Sequence, residues 1–253
     1  MSKLIVSGCS FADNLYTRDF GFTTWPELLA YKLGMKCINL GACGCGNDYI
    51  LSSLMEVMFE KDIGLMIAMW SEFERIDFQL NSRFLLGSSE FGWGPGRRGW
   101  TSVHMRKEQS PEAYQAWKDV VKDAFIGKKV GTLPVLVEKS VRIFYTFQIL
   151  MEKHKIPYLH LVGTTPCDWE DHSAAIKSFF GSIFMDKINE NKFIGWPVFP
   201  EIGGFHINTI LDDIDPDRKK LRISEEDTHP NGEGHKVIAD YLYKKIEEEY
   251  GNI

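Results

Sequence analysis

Apolar positions follow two rhythms along the first third of the chain. Leu4, Ile5 and Val6 form a short apolar run closed by Ser7 and Gly8, and residues 64–70 are apolar almost throughout. Runs of this length beside glycines predict strands buried on both faces, at 3–7 and 64–70. Between them the spacing becomes helical. Thr24 precedes Trp25-Pro26-Glu27-Leu28-Leu29-Ala30, a helix start with proline just inside the first turn. Gly34 stops that helix, and residues 35–40 read as a second strand. After a Gly/Cys-rich turn at 41–46, Asn47 or Asp48 can cap a helix carrying Ile50, Leu51, Leu54, Met55 and Met58 at helical spacing. Strand–helix alternation of this kind predicts a three-layer α/β/α sandwich around a parallel, doubly wound sheet.

The rhythm then breaks. Residues 77–132 are rich in Gly, Arg and aromatics, centred on Phe91-Gly92-Trp93-Gly94-Pro95-Gly96-Arg97-Arg98-Gly99-Trp100. No linker-like composition borders them, so they read as a lid-like insertion in one domain spanning 1–253. A long helix is predicted at 133–153, a fourth strand at 157–162, a helix at 173–181, a loop-rich stretch at 191–215 and a closing helix at 234–250.

Composition narrows the partners. The 253 residues are 44% hydrophobic, enough for one ordinary core without disulfide support. A formal net charge of −6 is unlike the basic stripe of a nucleic-acid binder. The run from Ile63 to Trp70 is less than half of the ~20 residues a bilayer span needs. The apolar segment at 4–6 is too short for a signal-peptide core. A cytoplasmic protein with no membrane span is expected. The five cysteines are odd in number, and the Cys43–Cys45 spacing matches neither a zinc knuckle nor a redox CxxC, which predicts reduced thiols.

Three segments carry chemistry. The first strand ends in Gly8-Cys9-Ser10-Phe11, where strand ends of an open α/β sheet gather reactive groups. A nucleophilic serine needs an exposed Oγ, a base and N–H donors for an oxyanion; a Gly-x-Ser in such a turn is also often only structural. Asp227-Thr228-His229-Pro230-Asn231 supplies a histidine with a nearby acid to hold its tautomer, or equally a surface loop with Asn231 capping the last helix. Asn39-Leu40-Gly41-Ala42-Cys43-Gly44-Cys45-Gly46-Asn47 could present an N–H to an oxyanion or cradle a phosphate; it lacks both GxGxxG and a Walker lysine.

Together these segments resemble the SGNH hydrolases, the GDSL esterases and lipases. Gly8 to Phe11 matches the first block, Asn39 to Gly44 the second, Asp227-Thr228-His229-Pro230-Asn231-Gly232-Glu233-Gly234-His235 the last, and Trp25 to Leu29 the first helix. The resemblance covers about 1–75 and 220–250. It implies a flavodoxin-like fold and carboxylic-ester hydrolysis, with Ser10 as nucleophile, His229 as base and Gly44 as an oxyanion-hole donor. Cys9 stands where the family has Asp. The third block lacks its Asn and reads Met69-Trp70-Ser71-Glu72-Phe73-Glu74-Arg75, which leaves the Ser71 hydroxyl, a backbone N–H or Arg75 as substitutes. The acid is Asp227, two residues before the histidine, with Glu226 at the family's usual position as rival.

Of the other histidines, His235 reads as packing or capping and His160 as a satisfied core residue. His104, His154, His172 and His206 lack metal-ligand spacing, so neither metal nor other cofactor is expected. Trp93 and Trp100 flanking Arg97 and Arg98 could line a substrate wall. Aromatic platforms suit sugar rings, which makes a carbohydrate ester a candidate substrate, although a hydrophobic cluster under the lid is the plainer reading. Acyl transfer by the same triad, and a non-catalytic carbohydrate-binding module on the same fold, are the alternatives.

Overall fold

The computed structural model describes residues 1–14, 17, 20–79, 100–105, 121–125, 127–167 and 172–251, without the side chains of Thr101 and His104. Five strands make one parallel sheet: β1 (Lys3–Ser7), β2 (Lys36–Asn39), β3 (Ile63–Trp70), β6 (Tyr158–Val162) and β7 (Phe193–Ile194), in the order β2-β1-β3-β6-β7. β4 (Arg75–Gln79) and β5 (Trp100–His104) form a separate antiparallel ribbon. The helices are α1 (Trp25–Lys32), α2 (Asn47–Val57), α3 (Leu133–His154), α4 (Ser173–Gly181), α5 (Ile207–Ile214) and α6 (Gly232–Tyr250).

α1 packs on α6, which also meets α5; α2 packs on α3, which also meets α4. These two groups are the outer layers of an α/β/α sandwich. Leu65 to Trp70 of β3 are all fully buried at the sheet's centre, each large side chain contributing roughly 1.5–3 kcal/mol by leaving water. Trp70 is enclosed by Phe144 and Phe147 of α3 at ring separations of 4.9 and 5.8 Å.

Two elements inside the expected loop-rich stretch 191–215 differ from the reading. β7 is only two residues long, too short to show a period. α5 opens at His206, whose side chain accepts the Thr209 N–H while the Thr209 hydroxyl accepts the His206 N–H, a capping box built from an unusual residue. The cap expected for α2 from Asn47 or Asp48 also differs: Gly46 is the N-cap and contributes no side chain. The insertion's centre, residues 91–99 with Trp93, Arg97 and Arg98, lies outside the described residues. None of the five cysteines is joined in a disulfide, and among the described residues no helix is long and apolar enough to cross a membrane.

Candidate active site

The chain runs from β1 outward to β2 and then returns across β1 to β3. The carboxyl ends of β1 and β3 therefore flank a switch point, where open α/β sheets bind their ligands. Ser10 follows β1 there. The Ala12 and Asp13 N–H groups both donate to the Cys9 carbonyl, at 2.9 and 3.2 Å, which curls the chain into a tight turn. The Ser10 side chain lies in that turn, 6% exposed.

His229 arrives from the other end of the chain. Its loop is stitched to residues 221–224: the Ile223 N–H donates to the His229 carbonyl at 2.9 Å, and Arg222 pairs with Pro230 as an isolated bridge. Asn231 caps α6 by accepting the Gly234 N–H. The loop brings His229 Nε2 to 2.7 Å from Ser10 Oγ, and Nδ1 to 2.6 Å from Asp227 Oδ1. A carboxylate only accepts, so Nδ1 carries the proton and the Nε2 lone pair faces the serine hydroxyl. The same Asp227 oxygen also accepts the His229 backbone N–H at 3.1 Å. Glu226 is exposed and accepts from the Ser224 hydroxyl at 2.9 Å; it is not brought to the imidazole. Burial holds the His229 pKa below its ordinary value against the opposing pull of Asp227, and the cations Arg75 and Arg222 add to the lowering. At neutral pH the imidazole is a free base.

The glycine-rich turn lies beside Ser10, and its N–H groups are nearly all engaged. Gly41 donates to Asn39 Oδ1 at 3.0 Å, Ala42 to the Gly8 carbonyl at 2.9 Å, Cys43 to Asp13 Oδ2 at 2.7 Å and Cys45 to the Ala42 carbonyl at 3.2 Å. Gly46 donates to Asp77 Oδ1 at 2.8 Å. Gly44 is the exception: among the described residues its N–H has no acceptor, and its φ of +70° is open to glycine at little cost. The Ser10 N–H likewise has no acceptor among the described residues.

Ser71 is not brought into this set. It is fully buried, its N–H donates to Asn47 Oδ1 at 2.8 Å, and its hydroxyl has neither exposed surface nor a partner. An atom without exposed surface does not meet a substrate oxygen, so the expected oxyanion role does not fit this position. Asn47 also donates to Ser140 Oγ at 3.1 Å, tying α2 to α3. Arg75 is held inside by Glu72 at 3.1 Å and by the Cys45 carbonyl at 3.0 Å. Burial works against its charge, but the Glu72 carboxylate carries its pKa above the ordinary value.

Three residues around the site have no signature in the sequence. Asp13 seats the turn through Cys43. Arg222, with its side chain 1% exposed, donates to the Thr228 carbonyl at 3.1 Å and to Asp212 at 2.6 Å, fixing the His229 loop. Asp77 holds Gly46. Asp13 and Asp77 each accept a backbone N–H from far along the chain, and pairings of that kind leave no local pattern.

The other histidines are scattered. His235 accepts the Trp25 N–H at 3.2 Å, joining α6 to α1. His160 is in the core and satisfied on one side only: Nδ1 accepts the Trp70 indole N–H at 3.0 Å, while Nε2 has no partner. His154 packs edge-on against Phe59, His172 pairs with Glu201, and His206 caps α5. Among the described residues no group of three or more His, Cys, Asp or Glu side chains is placed to hold a metal.

No family model matches the chain, and no curated protein does either. Among solved structures it is similar to LAE5, an α/β hydrolase enzyme from the metagenome of Lake Arreo, Spain, at 13% identity and a TM-score of 0.50, over 96% of this chain and 94% of that one. A protein described as lipolytic and of the G-D-S-L family, from Desulfitobacterium hafniense DCB-2, aligns at 15% identity and a TM-score of 0.49 over 97% and 99%. The acetyl xylan esterase AlAXEase aligns at 12% identity and a TM-score of 0.46 over 96% and 99%. What the chain shares with the Lake Arreo enzyme is its fold.

Proposed function

We propose that the chain is a serine ester hydrolase of the SGNH type, one domain with an insertion at about 77–132. The observation that carries this reading is the unbroken hydrogen-bond sequence Ser10 Oγ, His229 Nε2, His229 Nδ1, Asp227 Oδ1, at 2.7 and 2.6 Å. The Ser10 oxygen attacks the acyl carbon as His229 Nε2 takes its proton. The N–H groups of Ser10 and Gly44 donate hydrogen bonds to the carbonyl oxygen as negative charge develops on it. Asp227 stabilises the imidazolium, which then gives its proton to the departing alcohol. Water, deprotonated by the same nitrogen, releases the acid and restores Ser10. A second alcohol in place of water gives acyl transfer by identical steps. An ester of a carbohydrate is the substrate class the aromatic insertion suggests.

A fluorophosphonate probe tests the reading. The wild-type chain is expected to label at Ser10 and to hydrolyse p-nitrophenyl acetate, and Ser10→Ala is expected to lose both with its melting temperature unchanged. Hydrolysis by Ser10→Ala at the wild-type rate would refute the assignment.

A further inference from the structure

The turn that carries Gly44 is closed at its far end by a strand outside the main sheet. Asp77, on β4, receives the Gly46 N–H on Oδ1 at 2.8 Å and the Tyr49 N–H on Oδ2 at 2.9 Å. Those are the N-cap and third-residue donors of α2, whose own side chains provide no cap. The Ser102 hydroxyl, across the ribbon on β5, donates to Asp77 Oδ1 as well. Two residues earlier on β4, Arg75 donates to the Cys45 carbonyl at 3.0 Å. β4 thus grips both faces of the peptide next to Gly44: the carbonyl of Cys45 through Arg75 and the N–H of Gly46 through Asp77. The fit is close. A Cβ on Gly46 would stand 2.8 Å from both Arg75 Cβ and Asp77 Oδ2.

We propose that Asp77 is a positioning residue for ester hydrolysis: from the β4–β5 ribbon it fixes the 44–46 backbone so that the Gly44 N–H points at the developing oxyanion. This rests on the functional reading above. Oxyanion donors work only within about 2.7–3.1 Å of the charge, so a turn free to shift by a few tenths of an ångström loses transition-state stabilisation while Ser10 and His229 stay in place. The carboxylate suits the task better than an amide. It faces two backbone N–H groups and a hydroxyl donor, and an amide nitrogen in either position would oppose an N–H. Burial, the largest influence, raises the Asp77 pKa, and Asp48 adds to it, against the bonds from Ser102, Tyr49 and Gly46.

The test compares Asp77→Asn with Asp48→Asn, which removes an acid from the same helix turn but leaves the clamp. kcat and KM on p-nitrophenyl acetate are measured per serine titrated with fluorophosphonate, so that loss of folded molecules does not count. Hydrogen exchange over 41–50 and 223–231 is followed in parallel. Asp77→Asn is expected to lower kcat at least tenfold with KM within twofold, and to speed exchange over 41–50 alone; Asp48→Asn is expected to match wild type in kcat. An unchanged kcat per titrated serine, or a raised KM with kcat retained, would overturn the proposal. If Asp77→Asn does not fold, Ser102→Ala carries the same kcat and exchange test at a few-fold effect, and no change in either overturns it. Were Ser10→Ala to hydrolyse the ester as wild type does, the functional reading would fail, while the exchange measurement would still report on the clamp.

Discussion

Replacing Asp227 by Asn removes a charge and keeps a shape, and the geometry says what should follow. One carboxylate oxygen accepts both the imidazole Nδ1–H, at 2.6 Å, and the His229 backbone N–H, at 3.1 Å. An amide turned nitrogen-inward would set its NH₂ against that backbone N–H. The amide oxygen therefore stays in place, Nδ1 keeps its proton, and the productive tautomer survives. What is lost is the negative charge facing the imidazolium during proton transfer. Two unit charges about 4 Å apart interact by roughly 4 kcal/mol at an effective dielectric near 20, equivalent to about 10³ in rate at ~1.36 kcal/mol per tenfold. Both side chains are somewhat over a quarter exposed, at 27% and 29%, and solvent screening trims the expectation to about 10²–10³ in kcat. The assay is p-nitrophenyl acetate hydrolysis per titrated serine across a pH series. Because Asp227 opposes the downward shift that burial imposes on His229, its neutralisation should move the acid limb of kcat/KM to lower pH. Glu226→Gln should stay within twofold of wild type. A loss under tenfold in Asp227→Asn, an acid limb moving upward, or an equal loss in Glu226→Gln would refute the reasoning.

Ser71→Ala should leave kcat within twofold and raise stability by about 1 kcal/mol, since it deletes a buried hydroxyl that has no partner; a lowered kcat at constant KM, read with the same ester, would return Ser71 to the oxyanion site. Acid should destabilise the fold before most carboxylates titrate. His160 and His235, lowered to about 3 by burial, and His206, lowered to about 4 chiefly by burial, resist protons that the unfolded chain binds below its ordinary value of 6.5. Stability is thus full above about pH 6.5 and falls as pH drops toward 4, by about 1.4 kcal/mol per pH unit for each histidine. Denaturant titrations at pH 6.5, 5.5 and 4.5 measure the slope, and a flat profile would refute it.

The parts of this molecule that were legible in the sequence are those with a local cause. β3 announces itself through a run of apolar residues that only a doubly covered strand tolerates, and α1 through a proline placed one residue inside its start. Ser10 and His229 stand out through the resemblance of their segments to the first and last SGNH blocks, and they are brought within 2.7 Å of each other. Asp227 could be preferred to Glu226 because a short side chain two residues away reaches back to its own histidine. Position relative to distant chain was not legible. Ser71 follows β3 toward the switch point, yet its side chain is fully buried and its backbone is held by Asn47, which the residue order does not encode. β7 is too short for any period to show. The cap of α2 comes from Asp77, thirty-one positions beyond Gly46, at the start of a stretch whose composition suggests only a lid.

Ser10 and His229 stand 219 residues apart. At about 5–20 residues per second, a ribosome needs roughly 10 to 45 s to pass from one to the other. Through that interval the growing chain gains the rest of the sheet behind β1 and its serine but still lacks the His229 imidazole, and α1 lacks the helix that covers it. On the proposed mechanism every nascent chain is inert toward esters, and fragments ending before residue 229 are inert as well. Ester turnover in a cell-free translation reaction would therefore rise after a lag set by elongation speed, so its onset would act as a clock for the first passage beyond residue 229.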